Sequence, residues 1–400
     1  MKLIKGLHNR AKVYASFVDE KTKEQIKHLM DQEVFKDCKV SIMPDCHVGK
    51  GCVIGTTMTI KNKVVPNIVG VDIGCGMLTI NLKDIDIDLP ALDTFIHKNI
   101  PSGTCVHHHK VDCKVDITKL LCYEFLENKE RLNSSCGTLG GGNHFIEIDV
   151  DKDNNKYLII HSGSRYLGVQ VCNYYQKLAI SNQKQQFNEM LKNDIQMLKD
   201  ENRQSEIEEY IQTKNEEFAN NFDPGLAYLE NEYFKNYLHD MDICQQFASE
   251  NRLSIANKIL EFLNLNINDL YYFETIHNYI NMDDMILRKG AIAAYKNQMV
   301  LIPINMKDGA ILAYGKSCKK YNYSAPHGAG RILSRSKAME EISLDDFKKA
   351  MEGIYSTTVT KNTLDESPFA YKKIEDILEN ITGTVEIIDI IKPIYNFKAS

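Results

Sequence analysis

Asp72 and Cys75 stand three residues apart in Val69-Gly-Val-Asp-Ile-Gly-Cys-Gly-Met77, a glycine-punctuated stretch that follows a β-branched run. A carboxylate and a thiolate at this spacing can converge on one cation, and Gly70, Gly74 and Gly76 permit the turns needed to fold the backbone around it. Taken alone, the stretch fits a glycine-rich turn with an ordinary buried cysteine. Downstream stretches of similar chemistry change the balance. His144 follows the Gly-rich run Cys136-Gly-Thr-Leu-Gly-Gly-Gly-Asn143, and His161 ends the apolar run Tyr157-Leu-Ile-Ile before Ser-Gly-Ser-Arg165. His277 lies in Phe273-Glu-Thr-Ile-His-Asn-Tyr279, and His327 in Ser324-Ala-Pro-His-Gly-Ala-Gly-Arg331. Neutral imidazoles with one carboxylate and one thiolate suit two divalent transition metals, the thiolate able to bridge, and softness alone favours zinc. One such histidine fits a core position, whereas several with the same flanking chemistry are hard to explain by packing. His107, His108 and His109 are adjacent, cannot all face one ion, and read as a polar loop. Asp45 and His47, two apart in Pro44-Asp-Cys-His-Val-Gly-Lys-Gly51, would face one side of an extended segment, and by themselves read as a solvated turn.

These residues need elements to position them. The pattern predicts a strand from Ala11 to Phe17, a helix from Lys21 to Met30, a strand from Cys38 to Met43, a loop from Pro44 to Gly51, and a buried strand from Val64 to Val71. After Asn143 the chain alternates, His144 and Ile146 facing one way, Phe145 and Glu147 the other. From 168 to 263, Glu, Lys, Gln and Asn alternate with widely spaced apolar residues, interrupted at Asn221-Phe-Asp-Pro-Gly225, which predicts an antiparallel pair of long helices with solvated faces. Further on come a strand from Ala310 to Tyr314, a helix capped by Ser343 with Asp346 three residues later, a helix around Ala370 to Asn380, and a strand from Thr384 to Ile391. Arg331 and Arg335 would lie one turn apart if a helix starts there, and could then carry phosphate contacts. The resulting expectation is an α+β fold: a single large mixed-sheet domain over 1–400, with loops at strand ends forming a dinuclear metal site and a long helical insertion at 168–263.

Composition narrows the setting. A chain of 400 residues, 43% of them hydrophobic, can bury a substantial core. A net charge of -6 excludes a generally basic nucleic-acid coat but leaves room for a local basic cleft. Eleven cysteines and a first stretch broken by Lys5, His8, Arg10 and Lys12 predict reduced thiols in the cytoplasm, and no apolar run is long enough to predict a membrane span. No CxxC pair supports a structural zinc finger.

Taken in order, Pro44-Asp-Cys-His47, Asp72-Ile-Gly-Cys-Gly76, Gly137-Thr-Leu-Gly-Gly-Gly-Asn-His-Phe-Ile-Glu147, His161-Ser-Gly-Ser-Arg165, His277-Asn278, Arg288-Lys-Gly-Ala291 and His327-Gly-Ala-Gly-Arg331 resemble the RtcB family of RNA ligases over nearly the whole chain. The resemblance implies joining of an RNA 3′-phosphate or 2′,3′-cyclic phosphate end to a 5′-hydroxyl end, with GTP and two manganese ions, in RNA repair or tRNA splicing. It implies Cys75 as the bridging ligand, Asp72 and His144 on one manganese, His161 and His277 on the other, and His327 as the nucleophile that takes GMP. For the nucleotide it implies Asn143 on phosphate and Phe145, Glu147, Tyr371 and Lys398 around guanosine, with Asn305, Gly328 and Gly330 also lining that pocket. Glu147 suits guanine, because a carboxylate accepts from the N1–H and N2–H edge that adenine lacks. Arg165 and Arg331 are implied RNA or phosphate contacts.

The chain departs from the family pattern in three places. Pro303-Ile-Asn-Met-Lys307 stands where Pro-Gly-Ser-Met-Gly is usual, Tyr166 replaces a glycine after Ser-Gly-Ser-Arg, and Lys398 is followed by Ala399 and Ser400 rather than by glycine. These differences point to a divergent, bacterial-type branch. Two competing readings remain open: a dinuclear metal-dependent phosphohydrolase or cyclic phosphodiesterase, which needs no covalent histidine, and an RNA-end binder with little turnover.

Overall fold

The computed structural model describes residues 1–399. Two sheets carry the site. The first has six strands in the order Lys2–Lys5, Arg10–Val13, Val40–His47, Ile54–Thr59, Ile286–Lys289 and Asn278–Asn281, with one parallel pair between the second and third. The second has seven in the order Tyr272–Ile276, Gly76–Lys83, Lys156–Ser162, Phe145–Val150, Val385–Lys398, Gly309–Gly315 and Met299–Asn305, all antiparallel. This is the mixed-sheet α+β architecture the sequence predicts.

The second sheet is curled so that its two outermost strands touch. Strand periodicity then sorts side chains into two environments. Ile146, Ile148, Leu158 and Ile160 pack outward against Ile255 and Ile259 of a helix. Phe145 and Ile159 turn inward, towards Met77, Leu301, Leu312 and Ile391. With both faces covered, the strands read as nearly continuous apolar runs.

The helical block comprises Arg165–Asp200, Ile207–Asn221 and Asn231–Phe262, three helices rather than a pair. The first buries its N-terminal half, from Leu167 to Ala179, and beyond that Leu198. Its other half pairs with the second helix through a stack of Phe187, Phe218 and Phe222. The third buries a stripe at helical spacing that includes Phe247, Asn251, Arg252, Ile255 and Ile259. It packs on the second sheet rather than presenting only a solvated face.

Several boundaries differ from expectation, and proline accounts for most of them. The strand expected from Val64 to Val71 is two residues long, Lys63–Val64, followed by a short helix, Pro66–Val69. Pro66 occupies its first turn, where a fixed φ favours helix and the missing N–H is not needed. Conversely, strands expected to stop near a proline pass through it. Val40–His47 includes Pro44, with a register shift between Ile42 and His47, and Val385–Lys398 includes Pro393, with a shift between Pro393 and Tyr395. A bulge removes the ladder bond that proline cannot make. The Ser343 cap is as expected, its side chain accepting from the Asp346 N–H. The helix expected from Ala370 starts at Ile374, after a 3₁₀ turn at Pro368–Ala370. Arg331 lies outside any helix, and Arg335 begins one, Arg335–Glu341. Among the described residues no helix is long and apolar enough to cross a membrane, and all eleven cysteines are free.

Candidate metal centre and adjoining cavity

The turn after Pro66–Val69 leads through Asp72 and Cys75 into the strand Gly76–Lys83, so both side chains sit at a strand end. His144 immediately precedes Phe145–Val150, His161 lies one residue from the end of Lys156–Ser162, and His277 links Tyr272–Ile276 to Asn278–Asn281. Neighbouring strands therefore deliver all five groups to one edge. Their donor atoms fall into two sets that share Cys75: Asp72, Cys75 and His144, and Cys75, His161 and His277, each within 4.8 Å. Cys75 Sγ lies 3.5 Å from His144 Nε2 and 3.3 Å from His161 Nε2. His144 Nε2 is 3.0 Å from Asp72 Oδ2, and the Nε2 atoms of His161 and His277 are 3.4 Å apart.

Hydrogen bonds at the far side of the rings fix the chemistry of the near side. Carbonyls can only accept, so His144 Nδ1–H donates to Leu139 O at 2.8 Å and His161 Nδ1–H donates to Asn143 O at 3.1 Å. Each ring then points an Nε2 lone pair inward, as a ligand does. Burial pushes the His161 and His277 rings well towards the neutral form and pushes the Cys75 thiol up. Converging lone pairs and a carboxylate in a buried corner repel unless a cation lies between them. The donor set therefore fits two divalent ions, with Cys75 common to both groups of potential ligands.

One helix locks the loops that carry these groups. The buried Arg252 donates from Nη1 to Gly74 O at 2.9 Å and to Ser162 O at 2.8 Å, and from Nε to Glu274 Oε1 at 2.7 Å. Asn251 accepts from the Thr138 N–H at 3.0 Å and donates to Ser162 Oγ at 2.9 Å. Close approach also demands glycine: a Cβ on Gly163 would occupy the space of the Asp72 carboxylate.

A cavity of about 790 Å³ opens from this centre and is lined in part by Asp72, Cys75, His161, His277 and His327. The His327 ring lies 4.8 Å from that of His277. Its Nδ1–H donates to the fully buried Asp45 at 2.6 Å, and its backbone N–H reaches the same oxygen at 3.2 Å. Far from a solvated turn, Asp45 fixes the tautomer and leaves His327 Nε2 as an acceptor. Arg288, fully buried, anchors the preceding strand Ser324–Pro326 by donating to Ser324 Oγ at 2.8 Å.

The remaining sequence candidates line the same cavity: Asn143, Phe145, Glu147, Asn305, Gly328, Gly330, Tyr371 and Lys398. The Asn143 carbonyl accepts from Lys398 Nζ at 3.2 Å, and that ammonium sits 5.0 Å from the centre of the Phe145 ring. Asn305 is engaged locally, its Oδ1 accepting from Lys307 and Asp308 N–H groups. Gly330 has φ 77° and runs against the Asp45 backbone. Arg331 and Arg335, the arginines expected from the sequence to meet phosphate, both line the cavity and both bind a carboxylate there. Arg331 Nη1 is 3.2 Å and Arg335 Nη1 2.7 Å from Glu366 Oε1, while Glu366 Oε2 takes Lys398 Nζ at 2.8 Å and the Tyr371 hydroxyl at 2.7 Å. Burial works against the Glu366 charge, but Lys398 and Arg335 prevail and hold it at about 2. A second cavity, of about 630 Å³, reaches Asp72 and His144 past Arg131, Arg165 and Tyr166.

Sequence reasoning missed Arg252 and Glu366, and read Asp45 by itself as a solvated turn. Arg252 left a signal, a charged residue at a buried position of an apolar helical stripe. The histidine loop is peripheral to the metal centre: His107 Nε2 is 3.1 Å from Gly137 O and 3.2 Å from Lys258 Nζ.

Comparison with known proteins agrees with this geometry. The family described as tRNA-splicing ligase RtcB matches residues 25–125 and 123–399. The RNA-splicing ligase RtcB of Escherichia coli (strain K12) is 29% identical over 385 residues, covering 87% of each chain. The tRNA-splicing ligase RtcB of Nanoarchaeum equitans is 26% identical over 433 residues, covering 84% of this chain and 83% of its own. The RNA-splicing ligase RtcB homolog 1 of Entamoeba histolytica is 26% identical over 426 residues, covering 88% and 79%. With a match over most of its length and a five-residue ligand cluster at the strand ends, the chain belongs to the RtcB family.

Proposed function

We propose that this protein is a GTP-dependent RNA ligase that joins a 3′-phosphate or 2′,3′-cyclic phosphate end to a 5′-hydroxyl end through a guanylylated His327. The observation that carries the reading is His327 itself, beside His277 and held by the buried Asp45. A hydrolase built on the same metal cluster would need no such oriented imidazole. The names of the RNA-splicing and tRNA-splicing relatives support RNA as substrate, with broken tRNA the expected class. Eleven free cysteines accord with action in the cytoplasm.

Asp72, Cys75 and His144 would hold one divalent ion and Cys75, His161 and His277 the other, both manganese on this reading. Such ions offset charge on phosphate oxygens. The protein's own groups do the rest. Asp45 keeps the proton on His327 Nδ1, so Nε2 attacks the α-phosphorus of GTP: the N–P bond forms, the bond to the β-phosphate oxygen breaks, and pyrophosphate leaves. Phe145, Glu147, Tyr371 and Lys398 would enclose guanosine, with Asn143 on phosphate, Asn305, Gly328 and Gly330 completing the wall. GMP then passes from His327 to the RNA 3′-phosphate, a cyclic end having first been opened by water. The 5′-hydroxyl attacks this activated phosphate, the phosphodiester forms, and GMP departs.

The test is ligation of an RNA bearing a 2′,3′-cyclic phosphate and a 5′-hydroxyl, with GTP or ATP and with manganese or zinc. A joined strand that requires GTP and manganese is expected. Opening of the cyclic phosphate without joining would instead establish the phosphodiesterase reading.

A further inference from the structure

Glu147 and Asp149 are two apart on Phe145–Val150 and therefore share the inward face of the curled sheet with Phe145. Both are buried, Asp149 completely. Standing two apart on one buried face, the two carboxyl groups are neighbours in the sheet interior. Their other surroundings differ. Glu147 accepts from the Asn396 side-chain amide, feels the Lys398 ammonium, and borders the cavity. Asp149 receives no N–H or O–H donor from any described residue on either oxygen. Across the sheet it faces Tyr157, whose hydroxyl is bound to Asp151, and Pro393, which has no N–H. The one cation acting on it from a distance, Lys392, is spent on the Asp308 carbonyl.

We infer that Glu147 and Asp149 hold a single proton between them, that it resides on Asp149 and is donated to Glu147, and that this fixed arrangement makes Asp149 a specificity-determining positioning residue for the base of the bound nucleotide. Two carboxylates in contact in an apolar interior cannot both ionise. The site without donors is the poorer place for charge, so Asp149 is the neutral member. In agreement, burial and the neighbouring Glu147 push Asp149 well up. Burial raises Glu147 as well, but unlike Asp149 it has the Asn396 amide and the Lys398 ammonium favouring its charged form, so it is the member that offers lone pairs to the cavity. The complementary ligand is a base edge made of adjacent N–H donors, as in guanine, and not the mixed acceptor and donor edge of adenine. This half of the inference rests on the proposed guanosine pocket. The shared proton does not.

The proton also gives the pocket a pH response. Loss of the Asp149 proton at alkaline pH would set two carboxylates against each other and weaken guanine binding. Uptake of a second proton at acid pH would turn Glu147 into a donor and shrink the preference for guanine over adenine.

Two measurements on the full-length protein separate the parts. Infrared difference spectra of wild type against Asp149→Asn at neutral pH should show a protonated-carboxyl carbonyl band that the variant lacks, and absence of this band from wild type would overturn the inference. Dissociation constants for GTP, ITP and ATP should then show Asp149→Asn, which keeps an N–H donor, within about 3-fold of wild type for GTP, and Asp149→Leu weakened by about 10-fold or more for GTP and ITP but little for ATP. Wild-type discrimination in Asp149→Leu would overturn the specificity role. If wild type shows the band but binds no guanine nucleotide, the pocket reading and the specificity role fail together and the shared proton stands.

Discussion

Replacing Arg252 with methionine removes a buried side chain that ties the Asp72–Cys75 turn to the end of the His161 strand. Its three charge-assisted hydrogen bonds, at 2.7 to 2.9 Å, run to Glu274, Gly74 and Ser162. Methionine fills much of the same volume, so packing loss is small and the polar loss dominates. Glu274 retains Ser249 Oγ at 2.7 Å and reaches solvent, which limits its share. The carbonyls of Gly74 and Ser162 lose a buried charged donor, each at about 1–3 kcal/mol. The sum, about 2–6 kcal/mol, is a large fraction of the roughly 5–15 kcal/mol that holds a typical domain. The loops that shift are those carrying Cys75 and His161, so metal affinity should fall by about 10- to 100-fold, as when outer groups that orient metal ligands are lost. Denaturant unfolding of metal-free protein and manganese titration of folded protein give the two numbers. Arg252→Lys, which keeps the charge but cannot span three acceptors, should recover only part of each. An Arg252→Met protein within about 1 kcal/mol of wild type and binding two ions normally would refute the reasoning.

Two further outcomes follow from the site. Asp45→Asn removes the charged acceptor from His327 Nδ1 and should slow GMP transfer to the protein by about 10- to 100-fold, equivalent to one charge-assisted hydrogen bond, while leaving manganese stoichiometry unchanged. Single-turnover labelling with GTP reads this directly, and a wild-type rate would contradict the role given to Asp45. The second outcome concerns acid. Glu366 is held at about 2 against an ordinary 4.5, so its contribution to stability is fully present above about pH 4.5 and is lost as pH falls through about 2. The lowering corresponds to about 3 kcal/mol as an order of magnitude. Glu366→Gln should be less stable at neutral pH and flatter in its pH dependence across that acid window. Parallel unfolding curves for variant and wild type would show that Lys398 and Arg335 do not stabilise the charge.

How much of this was legible in the sequence depends on whether the signal was local. The candidate metal centre was readable because each candidate ligand sits in its own glycine- or asparagine-flanked stretch at a strand end, and Asp72, Cys75, His144, His161 and His277 do meet. The long helices were readable from their periodicity, though not the turn that makes three of two. Asp45 was misread because its partner, His327, is remote in sequence, and an aspartate between a proline and a glycine-rich run looks like a turn when no partner is visible. Prolines misled in both directions, starting a helix at Pro66 and passing through strands at Pro44 and Pro393 where bulges absorb the missing donor. The carboxylate that binds Arg331 and Arg335, Glu366, was not legible because it lies in an unremarkable segment.

The central claim is that His327 becomes covalently guanylylated, and peptide mapping by mass spectrometry after incubation with GTP and manganese tests it most directly. The account expects a single GMP adduct on the peptide containing His327, acid-labile and alkali-stable, absent with ATP and absent from His327→Ala. An adduct that persists in His327→Ala, or RNA joining by a protein that never carries GMP, would contradict it.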